Sequence, residues 1–189
     1  WLSLLDTRLG LGLILTIVLL TACGRSGNGE ASTPTPAVAP AATAQNAPAP
    51  KDHPRLRVQT LDGKDWDLAQ QRGKWVLVNY WATWCGPCLQ EMPELSAMAA
   101  MRQHLVVIGL AYDETEPAEL RAFLAQHPVT YPIARVSVYS PPEDFGVPRT
   151  LPTSWLIGPD GRIVRKYSSQ VTARMLDDDI AAHGGPKAG

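Results

Sequence analysis

The sequence predicts an α/β fold in which one mixed β-sheet packs against helices, within a single domain over residues 53–189. Three observations predict it. Val76–Trp81 is an apolar run, interrupted only by Asn79 and rich in β-branched and aromatic residues, the pattern of a strand buried on both faces, and after Cys85 it gives way to helical spacing at Leu89, Met92, Leu95 and Met98 or Ala99. Leu105–Ala111 repeats the buried-strand pattern and is followed by a second helical stretch. Thr153–Ile157 and Arg162–Tyr167 flank Pro159-Asp160-Gly161, which reads as an antiparallel hairpin, and a last helix follows. Strands that alternate with helices and then close in a hairpin combine parallel and antiparallel pairing in one sheet.

Taken in order, the chain begins with Leu9–Ala22, an almost unbroken apolar stretch preceded by Arg8. It is shorter than the roughly 20 apolar residues of a membrane-spanning helix and fits the hydrophobic region of a secretory signal over residues 1–22. It runs into Leu20-Thr21-Ala22-Cys23-Gly24, which resembles a bacterial lipoprotein signal. The resemblance implies lipidation of Cys23 and a lipid-anchored protein of the bacterial periplasm. Gly24, rather than Asp, leans that expectation towards the outer membrane. Of the 20 residues from Ala31 to Pro50, 13 are Ala or Pro and none is charged, so the stretch cannot bury a core and its prolines forbid a continuous helix. Residues 23–52 are therefore expected to be a lipidated cysteine plus a tether, averaging about 30 Å end to end as a flexible linker and reaching about 90 Å as polyproline II.

In the domain, Leu56–Thr60 and Lys64–Leu68 flank Asp62-Gly63, a strong signal for an N-terminal β-hairpin. The central strand is expected over Trp75–Ala82, with Trp81 in the core, and the helix after Cys85 contains Pro93, expected to kink it. A second helix opens at Glu116-Pro117, places Leu120, Phe123 and Leu124 on one face and closes at His127-Pro128. A short strand is expected over Tyr131–Val136, and Tyr139–Asp144 as a surface loop. The last helix starts near Thr172, with Met175, Leu176 and Ile180 inward and Asp177 and Asp178 outward, and stops at Gly184-Gly185. His53, His104, His127 and His183 fall at segment ends and are expected to be exposed.

The chemistry lies where the central strand becomes a helix. With 17 basic and 18 acidic side chains, no charge excess points to nucleic acid. Cys85 and Cys88 lack the second Cys/His pair that a zinc site requires. At a helix N-terminus, unpaired N–H groups and the positive end of the dipole favour the thiolate of Cys85. Cys88 follows one turn later on nearly the same face and can resolve a mixed disulfide. Gly86 and Pro87 suit the first turn and leave room for a partner's backbone, and neither carries a charged donor that would make the pair strongly oxidising.

Trp84-Cys85-Gly86-Pro87-Cys88 resembles the active-site signature of the thioredoxin fold. Together with Gly73–Ala82, the extra strand–helix unit over Leu105–Pro128, and Leu151–Ile157 ahead of an Asp-Gly turn, it resembles the TlpA-like branch, which includes cytochrome c maturation thioredoxins. That resemblance implies a proton-acceptor role for Glu91, all the more because Asn79 stands where thioredoxin has a buried Asp. It also implies a cis bond before Pro152, opposite the cysteines, with the Leu151 backbone and Trp84 meeting substrate. The expected activity is reduction of protein disulfides, with no cofactor beyond the Cys85–Cys88 disulfide, no bound metal, and a membrane-embedded thiol reductase as electron donor. Two alternatives are a thiol peroxidase, for which Thr83 stands two rather than three residues before Cys85, and a copper-binding lipoprotein using the two thiolates.

Overall fold

The computed structural model describes residues 51–187. The signal-like stretch, Cys23 and nearly all of the tether lie outside the described residues.

Among the described residues twelve segments of regular structure follow one another, and the sheet is built around the most apolar of them. β3 (Trp75–Trp81) has all seven residues buried. It pairs in parallel with β4 (Leu105–Tyr112) and antiparallel with β6 (Thr153–Ile157). β5 (Ile133–Val136) and β7 (Ile163–Tyr167) complete the order β5-β4-β3-β6-β7, so β3 is central. β1 (Arg57–Gln59) and β2 (Asp65–Asp67) form the separate N-terminal hairpin, turning through Gly63 at φ 82°. The mixed sheet is the one the alternation of patterns predicts.

Side chains alternate between the faces of a strand, and here the two faces carry different jobs. Trp75, Leu77 and Trp81 point into a cluster with Met92, Leu95 and Met98 of α1 (Gly86–Met101), Leu120 of α2 (Pro117–Gln126), and Leu176 and Ile180 of α3 (Ala173–Ala182). Both parallel crossovers, β3–α1–β4 and β4–α2–β5, step the same way across the sheet, so right-handed connections put α1 and α2 on one side. Val76, Val78 and Tyr80 point the other way and are covered by Leu56, Leu68 and Phe145. Each fully buried Leu or Met of α1 contributes about 1.5–3 kcal/mol, which is what fixes the helix behind the cysteines.

α1 holds Pro93 within one continuous helix. Several other local expectations are corrected. Tyr131 and Pro132 precede β5 instead of belonging to it. Met175 is exposed and leaves Leu176 and Ile180 to face the core, while Asp177 is half-buried because Arg102 binds its carboxylate, Nε to Oδ1 at 2.7 Å. His104 is also half-buried, its Nε2 without a partner. Asp144, expected in a surface loop, is buried in a 3-10 turn (Glu143–Phe145), where Lys51 and Arg55 bind it. The last two tether residues already touch the domain: Lys51 N–H donates to the Asp144 carbonyl and the Asp52 carbonyl accepts from Ile163 N–H, both at 2.9 Å.

Candidate active site

β3 ends at Trp81, and three residues carry the chain from it to Cys85. Asp113, buried at the end of β4, holds that link: its Oδ2 accepts from the Thr83 N–H at 3.0 Å and the Thr83 hydroxyl at 3.1 Å, and its Oδ1 accepts from Thr115 N–H at 3.1 Å. Thr83 is thus engaged away from the sulfurs. Trp84 is left 72 % exposed beside the first cysteine.

Cys85 occupies the N-cap of α1 in an extended conformation, φ −87° and ψ 94°, and its Sγ accepts from the Cys88 N–H at 3.3 Å. The sulfur therefore takes the place of the capping oxygen and meets one of the helix's unpaired donors. Cys85 and Cys88 are joined by a disulfide, S–S 2.06 Å, so the structure is that of the oxidised form. Cys88 is fully buried and Cys85 nearly so, at 4 %. Gly86 and Pro87 in the first turn are exposed, and a Cβ added to Gly86 would meet nothing within 4 Å, so the approach over this turn is open. Gln170 Nε2 donates to the Pro87 carbonyl at 2.9 Å, tying the turn to the loop before α3.

The Leu151–Pro152 bond is cis. Thr153 is level with Tyr80 in the antiparallel pairing, which places Pro152 one step on, level with Trp81, at the end of the sheet that leads to the cysteines. Leu151 packs against the cluster that contains both cysteines.

Glu91, one turn after Cys88, is buried at 3 % exposure. Oε1 accepts from Asn79 Nδ2 at 2.7 Å and Oε2 from the Val171 N–H at 2.8 Å. Burial pushes its carboxyl up to about 7, against the pull of those two hydrogen bonds and with a small push from Glu94. A carboxyl poised there can take or give a proton at neutral pH. The structure thus brings Cys85, Cys88, Glu91, Trp84, Gly86, Pro87 and Pro152 to one end of the sheet. Sequence reasoning missed Asp113 and the Val171 N–H: the first shows only as an acid ending a buried strand, and the second, a backbone donor 80 residues away, leaves no mark in a sequence.

The family model described as AhpC/TSA family matches residues 49–166. The thiol-disulfide oxidoreductase ResA of Bacillus thuringiensis subsp. konkukian (strain 97-27) is 32 % identical over 130 residues, 68 % of this chain and 74 % of that protein. ResA of Bacillus subtilis (strain 168) is 27 % identical over 129 residues, 67 % of this chain and 71 % of its own. Among solved structures, the DsbE-like thiol:disulfide interchange protein of Chlorobium tepidum superposes with a TM-score of 0.61 at 27 % identity, covering 71 % of this chain and 96 % of that one. An exposed lipoprotein thioredoxin of Streptococcus pneumoniae shares the fold, with a TM-score of 0.56 at 18 % identity over 68 % of this chain and 98 % of its own.

Proposed function

The chain belongs to the AhpC/TSA family and is a thiol-disulfide oxidoreductase of the ResA/DsbE type with a thioredoxin fold, and from that premise we propose that it works as a reductase of protein disulfides on the outer side of a bacterial membrane. The observation that carries the exchange chemistry is the buried Glu91 one turn behind Cys88, a carboxyl that can trade a proton with the second thiol at neutral pH.

The steps follow from the geometry. The Cys85 thiolate, stabilised at the N-cap, attacks one sulfur of a substrate disulfide; a Cys85–substrate disulfide forms and the other substrate sulfur leaves as a thiolate. Cys88 gives its proton to Glu91 and attacks the Cys85 sulfur. The Cys85–Cys88 disulfide closes, the second substrate sulfur leaves, and two electrons have passed from enzyme to substrate. A membrane-embedded thiol reductase returns them. Gly86-Pro87 offers no charged donor to the thiolate, which supports a reducing poise. Trp84, Gly86, Pro87 and the Leu151–Pro152 backbone form the contact surface for an extended segment of the substrate. The substrates of this reading are protein disulfides such as those of apocytochrome c haem-site cysteines or of a metal-site dithiol. Lipidation at Cys23, with residues 24–52 as tether, belongs to the same proposal, and supports it through the signal-like sequence alone.

With dithiothreitol as reductant, the protein is expected to reduce insulin and Cys85→Ser to be inactive. In intact cells, Cys88→Ser is expected to accumulate mixed disulfides with its substrates. An inactive wild type in the insulin assay, or a Cys88→Ser protein that traps no partner, would defeat the proposal. In single-turnover exchange, Glu91→Gln is expected to slow release of the substrate thiol about 100-fold while leaving formation of the mixed disulfide nearly unchanged. Equal slowing of both steps would remove Glu91 from the resolving step.

A further inference from the structure

Five residues from four segments lie around Glu91. Cys88 and Glu94 belong to its own helix, Asn79 reaches it from β3, Val171 N–H from the loop before α3, and the buried Tyr131 from the segment before β5. Ser154 of β6 stands behind Asn79, in register with it across the sheet. The two groups hydrogen-bonded to the carboxyl are both donors. The Val171 N–H is backbone and has no acceptor face to turn; the Asn79 amide has one, and uses its other. Its Nδ2 donates to Glu91 Oε1 at 2.7 Å and to Ser154 Oγ at 2.9 Å, while its own Oδ1, buried, meets no donor. A buried amide oxygen left unpaired costs free energy, and the orientation is kept in spite of that cost. Tyr131 OH, buried and unpartnered, does not supply Glu91 with a hydrogen-bond acceptor.

We propose that Asn79, steadied by Ser154, is a positioning residue for thiol–disulfide exchange: it turns its NH2 group to Glu91 so that the carboxyl meets donors only and is held as a proton acceptor rather than as an acid. The proposal rests on the reading of Glu91 as the base for Cys88. Hydrogen bonds to the charged form of a carboxyl favour that form, so the amide opposes the upward push of burial. Without it Glu91 would keep its proton at neutral pH and leave Cys88 as the thiol. In this arrangement a side chain that does not titrate sets the pH at which a neighbouring one works.

The test is made on the oxidised protein, where no substrate is needed. Carboxyl ¹³C NMR follows Glu91 through its titration, and side-chain ¹⁵N–¹H spectra follow the Asn79 NH2. In the wild type one Asn79 amide proton is expected to shift with the same inflection as Glu91. An Asn79 NH2 signal that stays constant through the Glu91 titration overturns the proposal. Asn79→Leu removes the donor, and Asn79→Asp keeps the size while offering acceptors only. Both are expected to raise the Glu91 inflection by a unit or more, Asn79→Asp the further, because two carboxyls then share the site. The pH profile of thiol release from a Cys85-linked mixed disulfide should move by the same amount. A folded Asn79→Leu with an unmoved inflection defeats the proposal, since it removes the donor without adding a charge. If instead the inflection moves as expected but Glu91→Gln resolves mixed disulfides at the wild-type rate, it is the role of Glu91 itself that fails.

Discussion

A buried carboxyl with a raised pKa makes stability depend on pH in a defined direction. Glu91 titrates at about 7 in the folded oxidised protein and near 4.5 when exposed. Below 4.5 both states hold the proton and its contribution to stability is fully present. As pH rises the unfolded chain ionises first, and the contribution is lost by the time pH passes 7. The expected loss is roughly 3 kcal/mol between pH 4.5 and 7.5, read by urea unfolding of the oxidised protein, and Glu91→Gln should lack that component. Parallel pH profiles in the two proteins would contradict it. At this scale the sequence was informative about covalent neighbours and silent about spatial ones. Cys85 and Cys88 could be named because a helical turn is local, and Glu91 and Pro152 because the resemblance to the TlpA-like branch implies their roles. That the Oε2 of Glu91 is bound by Val171, and that Asn79 faces it at all, depends on how α3 and β3 pack against α1.

At the scale of elements, α1 connects packing to reactivity. Its buried Met92, Leu95 and Met98 lock it under the sheet, and its first turn then presents N–H groups to the Cys85 sulfur. In the reduced protein, Cys85 is expected to react with iodoacetamide at pH 7 severalfold faster than a peptide thiol, because the N-cap donors favour its thiolate; a rate equal to the peptide's would refute the N-cap argument. Element types were legible because β3 and β4 are long, apolar runs and the helices keep their 3.6-residue period. The errors fell where two readings of a period compete. Met175 and Leu176 are adjacent, and only packing against the core decided which turned inward. Asp177 was assigned to solvent because its partner Arg102 lies 75 residues away. Gly109 shows the same blindness: a Cβ there would lie 2.5 Å from Ile133 Cδ1 and 3.1 Å from Trp81 Nε1, a crowding between neighbouring strands that no local pattern displays.

Across the whole molecule, the order of elements was legible as strands, helices and a closing hairpin, because consecutive elements pack as neighbours. The cover of the second face was not, since Leu56, Leu68 and Phe145 come from short irregular segments with no period. Nor was the point where the domain begins, because Asp144 recruits Lys51, read as the end of the tether, together with Arg55 of the domain. Asp144→Ala is expected to release that junction, so that limited trypsin digestion cuts after Lys51 and Arg55 at least severalfold faster than in the wild type, while the rest of the domain resists; unchanged cleavage would show that the clamp holds nothing.

The seam at Asp52 has a geometric corollary. Its carbonyl is stitched to Ile163, which sits level with Ile157 and hence beside Val76, at the pole of the sheet where β3 begins. The sulfurs lie past the other pole, beyond five steps of about 3.3 Å along the same strand, or roughly 17 Å. The polypeptide therefore joins the domain at its base and displays the dithiol at its crown. Whatever is joined to the chain at Asp52 therefore leaves the crown, and with it both sulfurs, clear for an approaching partner.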